Sequence, residues 1–268
     1  MILTEENYFS KEANMMYSGS SQIKSFMECE ARTIAELNGE YVRDVSDALL
    51  ASSYIDEAIT GDLEKFKQEH PEMFTKSGEL YSKYKHLDSI VEQAKNDAMF
   101  WKYLNGEHQK IFTGEINGVK IKIKTDSYFK DKVIVDLKAI KNFDLSWNEK
   151  TRQKENFIDL YDYILQASLY REIVRQNTGI ELPFVIAALT KETASERALL
   201  KIPEELMDTK LEFLKSYLPY IQQIKDGKIE PKHCGRCEYC RSKAKTLKIY
   251  NYTDFFEIRE GLKIVGGI

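Results

Sequence analysis

Three acids and a lysine pose the chemical question in this chain. The stretch Gly114–Lys141, GEINGVKIKIKTDSYFKDKVIVDLKAIK, carries Glu115, Asp126 and Asp136, with Lys138 two residues after the last. Carboxylate oxygens are the ligands that hard divalent cations such as magnesium take. Two aspartates on neighbouring strands, which lie roughly 5 Å apart, can share one ion, and a lysine beside them can hold and polarise a water. The same residues also fit a solvated hairpin whose acids and lysines face water, so the remainder of the chain has to decide between the two.

A second group is made of thiols. Cys234, Cys237 and Cys240 form C-x2-C-x2-C, a spacing found where thiolates grip one metal or cluster. Cys29 is the one other cysteine, about 200 residues upstream, and completes a four-thiolate site only if the two regions meet in space. A [4Fe–4S] cluster and a zinc site both suit four cysteines, and His233 offers zinc a further ligand. The alternative is a buried core thiol at Cys29 and a C-terminal trio that binds nothing. Gln166 and Tyr170 are four residues apart and so share a helix face, a pattern that says little alone.

The elements that must position these groups can be read from periodicity. Val119, Ile121 and Ile123 alternate with Lys120, Lys122 and Lys124, which predicts a strand with one apolar face. Asn117-Gly118 predicts a two-residue hairpin turn to the strand before it. Val133, Val135 and Leu137 alternate with Ile134, Asp136 and Lys138 in a third strand, so Asp136 and Lys138 share a face. Residues 1–17 read as a polar and aromatic arm. Helices are expected over Ile23–Leu37, after a serine N-cap at 18, 20 or 21, and over 47–59, with a short one stopped by Pro71. A long helix over 79–104 follows, with Tyr81, Tyr84, Leu87, Ile90, Val91 and Ala94 as its apolar stripe.

After the strand block of 109–140 comes a polar loop with Trp147, either a buried anchor or a platform for stacking bases. A helix over 157–178, with Ile158, Tyr161, Leu165, Leu169 and Ile173 toward the core, closes at Gly179. Strands over 182–190 and 196–202 and a helix from Glu204 to Lys225 complete the pattern, and the tail from Leu247 to Ile268 has no clear assignment. The order predicts an α/β fold with a mixed central sheet flanked by helices and an N-terminal helical elaboration.

Composition bounds the function. At 268 residues the chain is expected to form a single domain: a mainly helical part over 1–105, a core over 106–226, and the cysteine motif and tail over 227–268. A net charge of −4 does not suit a general polyanion binder, although Gly114–Lys141 has a net charge of +3 and Lys225–Lys248 of +5. No apolar run reaches the roughly 20 residues of a membrane span, no signal-peptide pattern opens the chain, and no phosphate-binding G-x-x-x-x-G-K-[ST] loop occurs. A cytoplasmic setting is expected, where structural disulfides are rare.

Taken in order, these motifs resemble the PD-(D/E)XK superfamily, in particular the phage-type RecE-like exonucleases (exodeoxyribonuclease VIII) related to the RecB nuclease domain and lambda exonuclease. The resemblance runs from SSQIKSFMECEA to CGRCEYCRSK and includes ALLASSYIDEAI, KVIVDLKAIKNF, ILQASLYREIVRQNTG and LPFVIAALTKE. It implies a restriction-endonuclease-like core, with the catalytic signature on Asp126 and on Asp136-Leu137-Lys138, an added acidic ligand at Glu115, and the Q-x-x-x-Y signature on Gln166 and Tyr170. Asp126, Asp136 and the Leu137 carbonyl would then hold Mg2+ or Mn2+, with Glu115 and Asp56 as further ligands. Asp56 stands where many relatives have a histidine. The resemblance also implies iron–sulfur on the cysteines, although such relatives space their late cysteines C-x2-C-x5-C.

The expected activity is a metal-dependent exodeoxyribonuclease that degrades linear double-stranded DNA from its ends, 5′ to 3′, and supplies single strands for recombination. A homo-oligomeric ring, a single-strand annealing partner and a phage or prophage origin follow from the same resemblance. Other readings are a non-catalytic DNA-end or recombinase-binding module, and a structure-specific endonuclease on the same fold.

Overall fold

The computed structural model describes residues 1–245, 249 and 251–255, so most of the tail from Leu247 onward lies outside the described residues. In chain order the helices and strands begin with α1 (Lys11–Met16), α2 (Ser20–Glu28), α3 (Glu30–Asn38), α4 (Asp47–Ile59), α5 (Leu63–Glu69), α6 (His86–Asn96) and α7 (Ala98–Leu104). Then come β1 (Glu107–Ile116), β2 (Val119–Phe129), β3 (Val133–Ile140), the small hairpin β4 (Ser146–Asn148) and β5 (Gln153–Glu155), α8 (Phe157–Leu160) and α9 (Tyr163–Thr178). The chain continues with β6 (Phe184–Thr190), β7 (Arg197–Lys201), α10 (Glu204–Lys225) and α11 (Glu238–Lys243).

Five strands form one mixed sheet in the order β1-β2-β3-β6-β7. The β3–β6 pair is parallel and the other pairs are antiparallel. A parallel neighbour needs a long crossover, and the segment between β3 and β6, with α9 in it, supplies one. Each face of the sheet carries its own core. On one side Ile134, Ile186 and Ala188 pack with Leu165, Leu169, Ile173, Leu214 and Leu218 of α9 and α10. On the other, Val135, Leu137, Ala187 and Leu189 pack with Ile55, Ile90 and Leu104 of α4, α6 and α7. Cover on both faces explains why β6, FVIAALT, is buried along its whole length and shows no alternation.

Four expectations are corrected. The helix predicted over Ile23–Leu37 breaks at Cys29, which is extended (φ −164°, ψ 107°) and starts α3 with its sulfur accepting from Arg32 N. The helix predicted over 79–104 becomes α6 and α7, separated by Asp97, whose carboxylate accepts from Phe100 N; Tyr81 lies outside it and is exposed. The helix predicted over 157–178 is interrupted before Tyr163 by Asp162 at φ 47°, leaving Tyr161 exposed. In each case a polar side chain satisfies backbone N–H groups at a new helix start. Apolar periodicity continues across such a break and does not signal it.

The fourth correction concerns β2. Its lysine face is covered in part, at Lys122, while Lys120 stays exposed and Lys124 half-buried, because residues 1–17 do not form a free arm. They dock across β2, with Ser18 N donating to Lys120 O and Lys122 N donating to Ser18 O. Lys122 is buried; its ammonium donates to the Tyr8 carbonyl and to Asn14 Oδ1 (2.7 Å), and burial lowers its pKa to about 8. Buried Lys225 of α10 holds the same segment from the other side, donating to the carbonyls of Asn14 and Tyr17 and to Ser18 Oγ and Gln22 Oε1. A buried ammonium is tolerated only when oxygens replace its water, and the docked segment provides them. Trp147, on the β4–β5 hairpin, is exposed and not a buried anchor.

Candidate active site

The site forms where β2 and β3 pair beneath α9. Ser127 and Val135 are the last residues of the β2–β3 ladder to pair, and Asp126 and Asp136 follow just beyond them, one on each strand. The backbone confirms the proximity, because Leu137 N donates to Asp126 Oδ2 at 2.7 Å. Asp136 is buried, and its two oxygens face different partners. Gln166 Nε2 of α9 donates to Oδ1 at 2.5 Å. Lys138 Nζ is 2.5 Å from Oδ2, an ion pair in which Oδ2 nevertheless has no well-directed hydrogen bond. Tyr170 is one turn along α9 from Gln166, and its hydroxyl donates to Lys124 O on β2 at 3.1 Å.

Asp56 of α4 reaches the group from the opposite helix layer. Its carboxyl is pushed up to about 6, chiefly by burial, and Thr60 Oγ1 donates to it at 3.1 Å. The Asp126 carboxyl is held well above the usual carboxylate range, first by burial and then by the charges of Asp56 and Asp136. Lys138 behaves differently. Burial works to lower its pKa, but Asp136 and Asp126 outweigh that effect and hold the ammonium above its ordinary range. Asp56, Asp126 and Asp136 thus act on one another's charge beside Lys138. Their all-oxygen character and mutual repulsion suit a hard divalent ion.

Two further residues belong to the site without a sequence motif to reveal them. Lys24 of α2 donates to Tyr161 O at 3.0 Å and lies 4.8 Å above the Tyr163 ring. Lys138 lies 5.1 Å from the same ring. Burial and the neighbouring Lys138 charge lower Lys24 to about 8, with Asp136 the foremost opposing charge. Neither residue had a signal beyond its place in an amphipathic helix, because only packing of α2 against α9 brings them here.

Glu115 is not brought into the cluster. It is exposed near the Asn117-Gly118 turn, paired across the hairpin with Lys120, and its backbone is clamped by the Gln176 side chain. Lys120 and Asp126 are six residues apart on β2, roughly 20 Å at strand spacing. Glu115→Gln is therefore expected to change the activity of the site by less than about twofold. A larger loss in a digestion assay would return Glu115 to the site.

The four cysteines do meet. All four sulfurs lie within 4.8 Å of one another, joining the break between α2 and α3 to the segment that starts α11.

Comparison with known proteins agrees with this geometry. The family described as "PDDEXK-like domain of unknown function (DUF3799)" matches residues 19–243. The chain belongs to this family. A solved structure described as "Putative exonuclease" from Eubacterium rectale is 38% identical, covers 95% of this chain and 98% of its own, and superposes with a TM-score of 0.88. A second solved structure, described as SSO0001, is 12% identical over 82% of this chain and 95% of its own, with a TM-score of 0.31. No curated protein matches. The DUF3799 match and the Eubacterium rectale structure identify the mixed sheet and its flanking helices as a PD-(D/E)XK nuclease fold. PD-(D/E)XK nucleases generally use divalent metals, and the DUF3799 chain has its aspartate–aspartate–lysine cluster inside the matched region. No helix among the described residues is long and apolar enough to cross a membrane.

Proposed function

We propose that the chain is a metal-dependent exodeoxyribonuclease that hydrolyses linear double-stranded DNA from its ends. The observation that carries this reading is the buried group of Asp126, Asp136 and Lys138, braced by Gln166 and joined by Asp56. Activity on ends is supported by the likeness to the Eubacterium rectale protein described as an exonuclease. A 5′ to 3′ direction, a ring-shaped oligomer, an annealing partner and a role in recombination rest on the RecE-like resemblance and belong to the same proposal.

Asp126, Asp136 and the Leu137 carbonyl would hold Mg2+ or Mn2+, with Asp56 contributing from α4. When bound, such an ion supplies Lewis acidity and lowers the pKa of water. The residues do the rest. Gln166 fixes the Asp136 carboxylate by its hydrogen bond, so the ligand oxygens need little reordering. Lys138, kept protonated by its acidic neighbours, orients water and offsets charge on the scissile phosphate. It is a poor proton acceptor in that state. Lys24 adds a second cation beside the cluster, and Tyr163 keeps the two ammonium groups on one aromatic ring.

The test is digestion of end-labelled linear duplex and of closed circular DNA, each with magnesium or with EDTA. The expected result is magnesium-dependent loss of the linear substrate alone. Cutting of the circle would make the protein an endonuclease. Binding to ends without digestion in any divalent metal would make it a DNA-end module.

Asp56 supplies a separate check. A carboxyl whose folded pKa exceeds its unfolded one binds more protons in the folded state, so its contribution to stability declines as pH rises from about 4 to 6. Above that window the metal-free protein carries the full penalty, up to about 3 kcal/mol. Asp56→Asn is expected to raise the melting temperature of metal-free protein at pH 8 and flatten its dependence between pH 4 and 6. The same change should raise the magnesium needed for half-maximal activity by roughly tenfold. Melting curves with and without magnesium check both effects, and a lower metal-free melting temperature at pH 8 would contradict this account.

A further inference from the structure

The cysteine cluster has a size, and size separates the metals it can hold. Cys29 Sγ is 3.5 Å from Cys240 Sγ and 3.8 Å from Cys237 Sγ, and Cys234 Sγ is 3.9 Å from Cys240 Sγ. No pair among the four exceeds 4.8 Å. A single tetrahedral zinc with bonds of about 2.3 Å sets its sulfurs about 3.8 Å apart. In a four-iron cube each thiolate sits on a different iron and points outward, which sets the sulfurs roughly 6 Å apart. The cage is therefore the size of one ion. A cube would have to push every sulfur apart.

Local structure explains the small cage. Gly235, at φ 71°, turns the chain tightly between Cys234 and Cys237. Cys237 caps α11, and Cys240 follows in its first turn. The x2 spacing where iron–sulfur relatives have x5 thus leaves the third late cysteine on the same turn as the second. Backbone N–H groups already point at the sulfurs: Cys237 N to Cys234 Sγ (3.3 Å), Cys240 N to Cys237 Sγ (3.4 Å) and Arg32 N to Cys29 Sγ (3.5 Å). Such donors offset the charge of metal-bound thiolates. His233 Nδ1 lies 3.5 Å from Cys240 Sγ, placing the ring beside a ligand sulfur.

We propose that Cys29, Cys234, Cys237 and Cys240 bind one structural zinc ion, and that no iron–sulfur cluster forms there. With four thiolates the coordination is closed, which is the mark of a structural site. The ion staples α11 to the start of α3, joining Cys29 to Cys240 across a sequence separation of 211. Hydrogen bonds tie the loop before the cysteines to the same helix start: Ala31 N donates to Lys232 O, and Lys232 N donates to Glu30 Oε2. Because α2 ends at Cys29, the staple also fixes the helix that carries Lys24 to the nuclease site.

The test is metal analysis and visible absorption of protein purified without air from medium containing both iron and zinc. The expected result is a colourless protein with one zinc per chain and no acid-labile sulfide. Replacing zinc with cobalt should give the visible bands of tetrahedral thiolate cobalt. Asp136→Asn should keep the zinc, and Cys240→Ser should lose it and melt at lower temperature. A brown protein with iron and sulfide, a red protein with one iron, or protein with no bound metal would overturn the proposal. So would zinc that follows Asp136 and not Cys240. The wild-type measurement stands even if the cysteine variant fails to fold.

Discussion

Asp136→Asn is expected to lower duplex digestion by about 10³-fold or more while the protein remains folded. The carboxylate is the hub of the site: Oδ1 accepts from Gln166, Oδ2 faces Lys138, and Asp126 stands on the neighbouring strand β2. Asparagine keeps the shape and keeps an oxygen for Gln166, but removes the charge that a divalent ion and the ammonium both need. Loss of one partner of a buried ion pair usually costs about 3–5 kcal/mol, because the other charge is stranded. Here Asp126 remains as a second carboxylate acting on Lys138, which should keep the cost below that range. Rates on end-labelled linear duplex, with circular dichroism and melting curves for the fold, separate lost chemistry from lost structure. Activity near wild type in a folded variant would remove Asp136 from the catalytic group.

Lys138→Met is expected to lower the rate by about 10² to 10³-fold and to shift the balance of charge in the opposite direction. Lys138 is the cation between Asp136 and Asp126, and both carboxylates keep it protonated. Without it the metal-free protein holds a cluster of acids with one less counter-charge, Lys24 remaining as an ammonium whose charge interacts with Asp136. The stabilisation gained on adding magnesium should therefore be larger in this variant than in wild type, even as activity falls. The pH dependence follows from the same charges. A lysine held above its ordinary range does not lose its proton across pH 7 to 10, so wild-type activity should show no decline there from Lys138 deprotonation. If Lys138 served instead as a general base, the rate would rise as the lysine deprotonated, and such a rise, abolished in the methionine variant, would overturn the positioning role.

The difference between Glu115 and Asp56 shows how far spacing alone can be trusted. Both are acids near recognisable motifs. Glu115 shares the hairpin with Asp126, yet hairpin geometry carries it the length of β2 from the cluster. Asp56 is 70 residues from Asp126 in the chain and on the other side of the sheet in α4, yet its charge acts on Asp126 and Lys138. Proximity in sequence places residues along a strand. Proximity across layers is decided by which helix face packs on the sheet.

Local patterns in the sequence were enough for the strands of the core, the Asn117-Gly118 turn, α4, α10 and the shared face of Asp136 and Lys138. These follow from a period of two or 3.6 residues and from the special turn preferences of Asn-Gly, which each segment carries within itself. Tertiary structure alone decided the rest. The breaks at Cys29, Asp97 and Asp162 pass through unbroken apolar stripes, and nothing in the alternation of β2 marks Lys122 as the lysine that residues 1–17 bury. Lys24 and the sulfur cage likewise arise from chain segments that meet only in the folded protein, where packing free energy outweighs local preference and a charged or polar group is admitted once its partners are in place.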